Sequence, residues 1–276
     1  MHVNINLNDE RKAQIAETLK IVAQKAGKIL IDNFRTNNIT YIQKSGKADM
    51  VTNIDIAVQR LIIEELTQYF PKIPIIGEED KKENIVFNLQ QEKLFFLVDP
   101  LDGTLNFIHG LPFFGVSIAL VKGNRPIVGV VHAPILEETF TAIANCGAFM
   151  NGQKLRCSKD LPVSEAIGAT GWPYDQSLIA WTQKTLYVMQ KNIQEIRILG
   201  AAALEMCYVA AGIIDIYWEV GLQPWDLAAG WLTVSEAGGK VSDINGNTFD
   251  LFSGQVLACR SKQLWQNVVK MFKNLH

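Results

Sequence analysis

The stretch LFFLVDPLDGTLNF, residues 94–107, decides the fold, because an apolar run passes directly into two aspartates. The run LFFLV is as apolar as any in the chain and predicts a short strand at residues 94–98, which draws Asp99 toward the interior. A buried carboxylate is costly unless it is paired or bound to a metal. Asp102 lies three residues further on, and Pro100 stiffens the bend between them. We therefore expect both carboxylates to converge on one cation.

Two further acidic groups follow predicted strands. Glu78, Glu79 and Asp80 come after an apolar run at residues 73–76, and Asp226 follows a run that ends at residue 220. Taken alone, an acidic turn of this kind is usually a solvated surface. Carboxylates at the carboxyl ends of strands, however, point into the crevice where α/β proteins bind ligands. The three groups together therefore predict one acidic site.

The donor chemistry of these groups favours magnesium. The four cysteines are far apart and form no CxxC pair, so neither a zinc site nor a disulfide framework is expected. His109 and His132 could be ligands in principle, but a lone histidine is more often a structural hydrogen-bonding residue. A site built from oxygen donors suits a hard divalent cation such as Mg²⁺ better than zinc.

Gly103 and Thr104, which follow Asp102, predict an anion site beside the cation. A glycine at the start of a segment that can turn helical leaves backbone N–H groups available to an anion. Carboxylates repel a phosphate, but a metal ion held between them reverses the sign of the interaction. The combination predicts phosphate chemistry rather than acyl or glycosyl transfer.

The chain as a whole alternates between helices and strands. The hydrophobic periodicity predicts helices at residues 8–34, 56–70, 180–191, 202–211, 227–236 and 262–272. It predicts strands at residues 40–44, 73–76, 94–98, 113–121, 126–132, 140–149, 196–199, 214–220 and 256–258. This pattern is typical of a mixed, layered α/β protein. We expect two halves, residues 1–155 with most metal ligands and residues 156–276 with Asp226, joined as one compact unit.

Composition excludes several classes of protein. The 276 residues are 48% hydrophobic and 20% charged, with a formal net charge of −2, so no basic surface for nucleic acid is expected. The N-terminus lacks the apolar segment of a secretion signal. The longest apolar runs, residues 113–121 and 126–134, are too short to span a membrane. A cytoplasmic protein with reduced thiols and no membrane or nucleic-acid partner is expected.

Six segments together resemble the inositol monophosphatase family, part of the lithium-sensitive, magnesium-dependent phosphatase superfamily. They are DMVTNID at 49–55, GEED at 77–80, DPLDGTLNF at 99–107, GAAALEM at 200–206, YWE at 217–219 and QPWDLAAG at 223–230. The pairing of DPxDGT with WDxAxG more than a hundred residues later is highly specific, and the similarity covers nearly the whole chain. The resemblance implies an αβαβα five-layer sandwich and commonly a homodimer.

The same resemblance implies which residues bind each of two to three magnesium ions. Glu78, Asp99 and the carbonyl of Leu101 resemble the ligands of the first ion. Asp99, Asp102 and Asp226 resemble those of the second, so that Asp99 bridges the two. Glu78 also resembles a ligand, through water, of a third and weaker ion. For the remaining site residues the resemblance implies supporting or catalytic roles, which fall on Lys44, Asp55, Glu79, Gly103, Thr104, Gly200, Ala201, Ala202 and Glu219.

These implied roles divide between the reaction and the substrate. Thr104 and Asp55 match the pair that orients and deprotonates the attacking water, beside Glu78. Lys44 matches a lysine near the phosphate and the third-ion waters, where Glu79 helps. Glu219 matches a position that touches the substrate's hydroxyls, as do Gly200, Ala201 and Ala202, while Gly103, Thr104 and Asp226 border the phosphate.

Three positions depart from the family pattern. Leu101 replaces a commoner isoleucine, which matters little if only its carbonyl binds metal. Ala201 stands where many relatives carry serine or threonine, so one hydroxyl that could reach the substrate is missing. Asp80 adds a charge where small residues are frequent. These changes leave the metal centre intact and bear on the substrate pocket.

The resemblance implies hydrolysis of a phosphate monoester by a metal-activated water, with inositol-1-phosphate as the first candidate and inositol and phosphate as products. A sister phosphatase acting on histidinol phosphate, fructose-1,6-bisphosphate, a 3′-phosphonucleotide or NADP would use the same metal motif. A third interpretation is a regulatory binding protein of RNA-handling machinery with incidental activity. The missing basic surface gives this last interpretation no support.

Overall fold

Two large sheets and the helices packed on them make up the computed structural model, which describes residues 7–44, 49–80, 94–157 and 160–275. The helices of these ranges are α1 Asp9–Asn33, α2 Asn53–Tyr69, α3 Thr104–Ile108, α4 Ile179–Asn192, α5 Ala202–Ala211, α6 Pro224–Glu236 and α7 Lys262–Lys273. The strands are β1 Tyr41–Gln43, β2 Met50–Thr52, β3 Ile75–Gly77, β4 Phe95–Asp102, β5 Gly115–Lys122, β6 Arg125–Ala133, β7 Glu138–Ile143, β8 Gly147–Met150, β9 Gln153–Lys154, β10 Ile167–Ala169, β11 Glu195–Arg197, β12 Ile216–Val220, β13 Lys240–Ser242 and β14 Gln255–Cys259.

The two sheets use separate stretches of chain. The first has seven strands in the order β3-β4-β5-β6-β7-β8-β9, with β3 and β4 parallel and the other pairs antiparallel. The second has five strands in the order β11-β10-β12-β14-β13, in which β10 runs parallel to both of its neighbours. The first sheet ends at Lys154 and the second begins at Ile167. The division into halves at residue 155 stays a prediction.

The helices form three layers around these sheets. Helices α1 and α2 cover one face of the seven-stranded sheet, and α5 and α6 lie between the two sheets. Helices α4 and α7 cover the outer face of the five-stranded sheet. The predicted αβαβα sandwich is confirmed.

Strand β4 shows why the apolar run at residues 94–98 belongs in the middle of this sandwich. Side chains on a strand alternate between its two faces. Phe95 and Leu97 lie in the core between the sheets, whereas Phe96 and Val98 lie in the core under α1 and α2. All eight residues of β4 are buried. A strand covered on both faces has to be apolar throughout, and this one is apolar as far as Val98.

Small residues let α6 approach its neighbours closely. A Cβ added at Gly129 of β6 would lie 2.9 Å from the Cα of Ala229, and one added at Gly230 would lie 2.7 Å from the Cβ of Met206 on α5. No side chain therefore separates α6 from β6 at this contact. The helix that carries Asp226 is held directly on the sheet that carries Asp99.

The predicted elements agree with the structure in kind and differ at their ends. The single strand predicted at residues 140–149 is the pair β7 and β8, which turn through Asn145 at φ 66°. Helix α6 begins at Pro224 rather than at 227, because proline fits the first helical position. Strands β2, β9, β10 and β13, each of two or three residues, were not predicted.

Helix α2 begins at Asn53, two residues before Asp55, where the sequence placed that aspartate at the head of a helix starting at 56. None of the helices in the described ranges is both long and apolar enough to cross a membrane. Residues 1–6, which bear on the expectation of no secretion signal, lie outside the described residues.

Candidate active site

A break in the regular pairing of β4 brings two aspartates to the same place. Asp99 and Asp102 are three residues apart and would point to opposite faces of a regular strand. The register with β5 shifts between them, and the N–H of Leu101 donates to Asp99 Oδ1 at 3.0 Å. Asp99 is 2% exposed and Asp102 6%. The strand predicted to end at Val98 instead continues through Asp102, with this irregularity inside it.

Asp102 reaches from the first sheet to a helix of the second half of the chain. Its Oδ2 accepts the N–H of Leu204 at 3.1 Å, in the first turn of α5. Ala201, which precedes α5, offers no side-chain cap. The first N–H groups of a helix need acceptors, and here a residue from the neighbouring half supplies one.

Asp226 enters the cluster from α6. It is the third residue of that helix, and its Oδ2 accepts the N–H of Gln223 at 2.8 Å in a capping box. Burial raises its pKa well above the usual range, and the charge of Glu78 raises it further. Negative charge is favoured at a helix N-terminus, but here repulsion and burial outweigh that benefit. Because burial and repulsion both disfavour the charged form of Asp226, a cation bound nearby would stabilise that form.

Burial and neighbouring negative charges also raise the pKa of the other carboxylates. Burial raises the pKa of Asp99 well above its usual range, and the charges of Glu78, Asp102 and Asp226 add to the shift. Burial also raises the pKa of Asp102 to about 7, against the N–H bonds from α5 that lower it. Groups that raise each other's pKa are close in space. These shifts therefore place the predicted ligands in one cluster.

Glu78 and Glu79 share a single cation, the ammonium of Lys44. Its Nζ lies 2.7 Å from Glu79 Oε1 and 3.2 Å from Glu78 Oε1. Burial acts to lower the pKa of Lys44, but the charge of Glu78 and the hydrogen bond to Glu79 outweigh it and raise the pKa. Burial and the neighbouring Glu78 raise the pKa of Glu79 to about 7. Lys44 thus lies at the edge of the acidic cluster, as the resemblance implies.

Asp80 does not join the cluster. Its two carboxylate oxygens accept from the N–H of Gly77, at 2.9 Å, and from the Nε2 of Gln59, at 3.2 Å. The extra charge of the GEED segment is therefore used to hold the turn that presents Glu78 and Glu79. The pattern of residues alone could not separate this structural aspartate from its neighbours.

Asp55 and Thr104 form a hydrogen-bonded pair beside the cluster. Asp55 is 0% exposed and is the third residue of α2, where it caps the backbone N–H of Thr52 at 3.0 Å. The hydroxyl of Thr104 lies 3.0 Å from Asp55 Oδ1 and 3.0 Å from the carbonyl of Leu101. A hydroxyl has one proton, so Thr104 can donate to only one of these acceptors fully. Burial raises the pKa of Asp55, against the bonds from Thr52 and Thr104.

Gly103 allows the chain to turn between these groups. It has φ 95° and ψ 38°, a left-handed conformation that favours glycine, and α3 begins at the next residue. The predicted start of a helix after Gly103 is therefore present. Thr104 is its first residue, two positions after Asp102, and its hydroxyl contacts Asp55.

Glu219 lies on the side of the cluster that faces the second sheet. It is 9% exposed and accepts a short hydrogen bond from the hydroxyl of Tyr217. Burial raises its pKa to about 7. A Cβ at Gly171 would lie 2.2 Å from Glu219 Oε1, so the segment after β10 runs directly over this carboxylate. Tyr174 follows on this segment with half of its surface exposed.

Three residues of the site region were missed by the sequence reasoning. Glu205 is 0% exposed inside the otherwise apolar helix α5, and that contrast in the sequence was the signal available. Asn106 donates to backbone carbonyls on both sides of the site. Burial raises the pKa of Tyr174, and the charges of Glu78 and Asp226 raise it further, which places its hydroxyl near the acidic cluster.

Structure accounts for one of the two histidines. His132 Nδ1 lies 2.9 Å from the hydroxyl of Thr139, and its ring packs against Gly27 of α1. His109 ends α3. The structural interpretation fits His132, and for His109, which is exposed, it stays a prediction.

The residues of the cluster suit a hard cation. Among the described residues no group of three or more acidic, histidine or cysteine side chains is placed so that it could hold a metal ion as it stands. The fit is therefore judged on donors and charge. Asp99 and Asp102 are buried and Asp226 is half-buried, and none of them forms an ion pair with a described residue. The charges of Asp102 and Asp226 raise the pKa of Asp99, and the charge of Asp102 raises that of Asp226. Their oxygens match the donors that magnesium prefers, and only a positive charge would relieve their repulsion.

The fold and this acidic cluster define a class: layered α/β proteins with a cluster of carboxylates beside the helices that lie between two sheets. The model of the inositol monophosphatase family matches residues 11–276, so the chain belongs to that family. The family's members are metal-dependent phosphatases of small phosphate esters, and this protein is a phosphatase of that family.

Known proteins of the same family are similar over most of their length. A fructose-1,6-bisphosphatase/inositol-1-monophosphatase of Thermotoga maritima is 40% identical over 231 residues, covering 83% of this chain and 85% of that protein. The Nus factor SuhB of Pasteurella multocida is 39% identical over 240 residues, covering 86% and 87%. The crystal structure of extragenic suppressor protein suhB from Bartonella henselae matches with a TM-score of 0.87 at 34% identity, covering 94% and 98%.

Proposed function

We propose that this protein hydrolyses inositol-1-phosphate to inositol and phosphate in a Mg²⁺-dependent reaction. The observation that carries the proposal is the cluster of carboxylates formed by buried Asp99 and Asp102 and half-buried Glu78 and Asp226, next to the hydrogen-bonded pair Thr104 and Asp55. The cluster supplies the charge that a cation needs. The pair supplies a hydroxyl and a base at its edge.

The ions would be held by residues already named. Two to three magnesium ions per site would bind Glu78, Asp99, the carbonyl of Leu101, Asp102 and Asp226, with Glu79 supporting the weakest. Magnesium bound there would neutralise the phosphate and make water easier to deprotonate. Lys44 already carries a positive charge at this edge and would contact the phosphate oxygens.

The residues of the chain itself would handle the proton. In our proposal Thr104 orients the attacking water with its hydroxyl and passes the water's proton toward Asp55 Oδ1, which it contacts at 3.0 Å. The raised pKa of Asp55 suits a group that has to accept a proton. The Thr52 N–H and hydroxyl hold the other oxygen of Asp55, so the acceptor is fixed in orientation. The N–H groups around Gly103 and Thr104 would border the phosphate.

The alcohol part of the substrate would lie against the second half. Glu219 is a buried acceptor near the cluster and can bind the hydroxyls of a polyol ring. Gly200, Ala201 and Ala202 precede and open α5 and complete this side. Asp226 borders both parts of the substrate. Ala201 brings no hydroxyl, so backbone groups have to supply the polar contacts there.

Two other functions have specific support. The name of the Thermotoga maritima relative joins fructose-1,6-bisphosphatase with inositol-1-monophosphatase, which favours fructose-1,6-bisphosphate as a second substrate. The relatives named Nus factor SuhB keep the regulatory role with RNA-handling machinery as a candidate. Histidinol phosphate, 3′-phosphonucleotides and NADP belong in the same test.

A phosphate-release panel tests the proposal. Purified protein with Mg²⁺ is expected to release phosphate fastest from inositol-1-phosphate, to stop in excess chelator, and to recover when Mg²⁺ returns. Lithium is expected to inhibit. Dominance of another ester would replace the substrate, and turnover in excess chelator would contradict the metal-dependent reaction.

Asp226→Asn separates catalysis from a binding role in cells. If catalysis is the function, the variant fails to restore a deletion strain. Rescue by this inactive variant would favour the regulatory interpretation. We also propose that the protein is cytoplasmic and that it forms a homodimer. The four unpaired cysteines support the cytoplasmic location, and the family resemblance supports the homodimer. Sedimentation of the purified protein checks the homodimer.

A further inference from the structure

Asn106, from the first half of the chain, holds a backbone segment of the second half. Its Nδ2 donates to the carbonyl of Leu199 at 2.7 Å and to the carbonyl of Phe113 at 2.7 Å. An amide nitrogen has two hydrogens, so both bonds can form at once. The segment Leu199, Gly200 and Ala201, called here the clamped loop, is thereby tied to the chain that follows the DPLDGT motif.

Glu205 holds the same loop from its other side. Its Oε1 accepts the N–H of Leu199 at 3.3 Å, and its Oε2 accepts the N–H of Ala201 at 3.2 Å. The side chain is wholly buried, in a helix whose other residues are mostly apolar. A buried carboxyl group is retained where its hydrogen bonds are needed. These two residues together bond three polar groups of the clamped loop, the carbonyl and N–H of Leu199 and the N–H of Ala201, which leaves the loop little freedom.

The clamped loop also approaches the metal motif closely. Gly200 has φ 77°, a conformation that favours glycine. A Cβ added at Gly103 would lie 3.2 Å from the Cβ of Ala201, so the two turns are in direct contact. A shift of the loop would therefore change the distance between the phosphate side and the alcohol side of the site.

We propose that Asn106 and Glu205 are positioning residues that fix the clamped loop for binding of the substrate's alcohol part. The inference rests on the proposed function, in which this loop contacts the hydroxyls of a polyol phosphate. Neither side chain reaches the reacting atoms. They act through the loop, so their loss weakens binding of a substrate with ring hydroxyls and spares the chemistry at the phosphate.

The test compares two substrates on isosteric variants. Glu205→Gln keeps one acceptor oxygen but places an amide N–H₂ opposite a backbone N–H, so one hydrogen bond is lost. Asn106→Asp places carboxylate oxygens opposite two backbone carbonyls, so both hydrogen bonds are lost. Loss of one such hydrogen bond is expected to raise KM for inositol-1-phosphate about fivefold, and Asn106→Asp at least tenfold. The kcat, the inhibition by inorganic phosphate, and the KM for p-nitrophenyl phosphate, which has no ring hydroxyls, should stay within twofold.

Glu236→Gln is a matched control. Glu236 also accepts two backbone N–H groups, those of Asn145 and Gly147, each at 2.8 Å. It lies at the far end of α6 from Asp226, ten residues along the helix, or about 15 Å away. This variant is expected to leave both KM values unchanged. An equal rise in KM from Glu236→Gln would show that loss of any such bond suffices, which overturns the proposal.

Hydrogen exchange measures how firmly the clamped loop is held, without relying on activity. The amides of residues 199–201 should exchange at least tenfold faster in Glu205→Gln and Asn106→Asp, and unchanged exchange overturns the clamp. Faster exchange with unchanged KM overturns its role in binding. If the unaltered protein hydrolyses neither ester with Mg²⁺, the proposed function fails and the substrate role fails with it, while exchange still judges the clamp by itself.

Discussion

Asp226 makes a stabilising hydrogen bond in the fold, although its surroundings disfavour its charged form. The capping box of α6 gives it a firm hydrogen bond, 2.8 Å from the N–H of Gln223, which helps the helix begin. Burial and the charge of Glu78 nevertheless raise its pKa. An amide of the same shape would keep the cap, with its oxygen facing the N–H, and would lose the charge.

Asp226→Asn is therefore expected to lower kcat/KM at least a hundredfold without lowering the thermal midpoint of the chelated protein. The amide cannot hold a divalent cation as well as the carboxylate, but it removes one source of repulsion. Kinetics with saturating Mg²⁺ and thermal unfolding in chelator measure the two effects. Asp243→Asn, at a turn where the aspartate caps Asn245 and Asn247, is the control and should retain activity. Full activity of Asp226→Asn would remove this residue from the site.

Glu219 predicts a pH dependence of stability in the absence of metal. Burial raises its pKa to about 7 in the folded protein, from an ordinary value of 4.5. The folded state therefore binds more protons than the unfolded state between these values, and stability falls as the pH rises from about 4.5 to 7. The thermal midpoint of the chelated protein should drop over this range. Glu219→Gln should flatten the slope, and an unchanged slope would assign the effect to the other raised carboxyl groups.

At the scale of elements, the position of the site depends on how closely α6 lies on the first sheet. The helix carries Ala228, Ala229 and Gly230 in succession, and small residues let backbones approach. Gly129 meets Ala229, and Gly230 meets Met206 of α5. Strand β6 and helix α6 are thus in contact without an intervening side chain, and on the α5 side the side chain of Met206 lies directly against Gly230. Asp226 is fixed in place with α6, because it lies at the start of that helix.

Gly129→Ala is expected to destabilise the protein by about 1–3 kcal/mol, because its new Cβ would lie 2.9 Å from the Cα of Ala229. Chemical denaturation measures the free energy of unfolding. Gly123→Ala is the comparison, since nothing lies within 4 Å of its added Cβ and only its φ of 59° opposes the change. The larger loss should come from Gly129→Ala together with reduced activity. Equal losses would mean that backbone strain, not the close contact, sets the effect.

Helix α2 links a local capping signal to the candidate base. Thr52 caps the N–H groups of Ile54 and Asp55, and Asp55 returns a bond to the N–H of Thr52. Thr52→Ala is expected to cost about 1 kcal/mol of stability and to lower kcat, because Asp55 loses the hydroxyl that orients one of its oxygens. Thr18→Ala, on the exposed side of α1, should change neither. Normal kcat in Thr52→Ala would make this cap structural only.

At the scale of the whole molecule, the acidic cluster lies at a contact, called here the joint, between elements from the first and the second half of the chain. Asp99 and Asp102 come from the first sheet, Asp226 comes from α6, and Asp102 also caps α5. In the metal-free protein these carboxylates repel one another across the joint. A cation bound there would replace the repulsion by attraction to both sides.

Mg²⁺ is therefore expected to raise the thermal midpoint. A ligand that binds only the folded state adds about 2.7 kcal/mol of stability when its concentration is a hundred times its dissociation constant. The shift should shrink sharply in Asp226→Asn and stay intact in Asp243→Asn. Calorimetric titration supplies the dissociation constant. A shift equal in both variants would place the stabilising ion elsewhere.

The sequence predicts the fold class and the neighbourhood of the site well, because the responsible signals are local. Apolar runs ending at acidic residues mark β3 and β4, and the helical period marks α6, although its start at Pro224 was missed by three residues. The irregularity within β4 was beyond reach, since it depends on how β5 pairs with it. Asp80 and Glu205 show the same limit. Asp80 is held by Gly77 and Gln59, 3 and 21 residues away, and Glu205 holds Leu199 and Ala201, 6 and 4 residues away. Whether a carboxylate holds a backbone turn or faces the cluster depends on how the chain folds around it, which the residue pattern does not show.

The contact between Gly129 and Ala229 has a consequence for how this protein can change over generations. Neither position has room for a larger side chain while the other backbone stays in place. A lineage that enlarges one of them has to move the whole helix, and with it Asp226. We therefore expect substitutions at these two sites to be rare and correlated among descendants that retain turnover, and to be free to drift in those that have given it up.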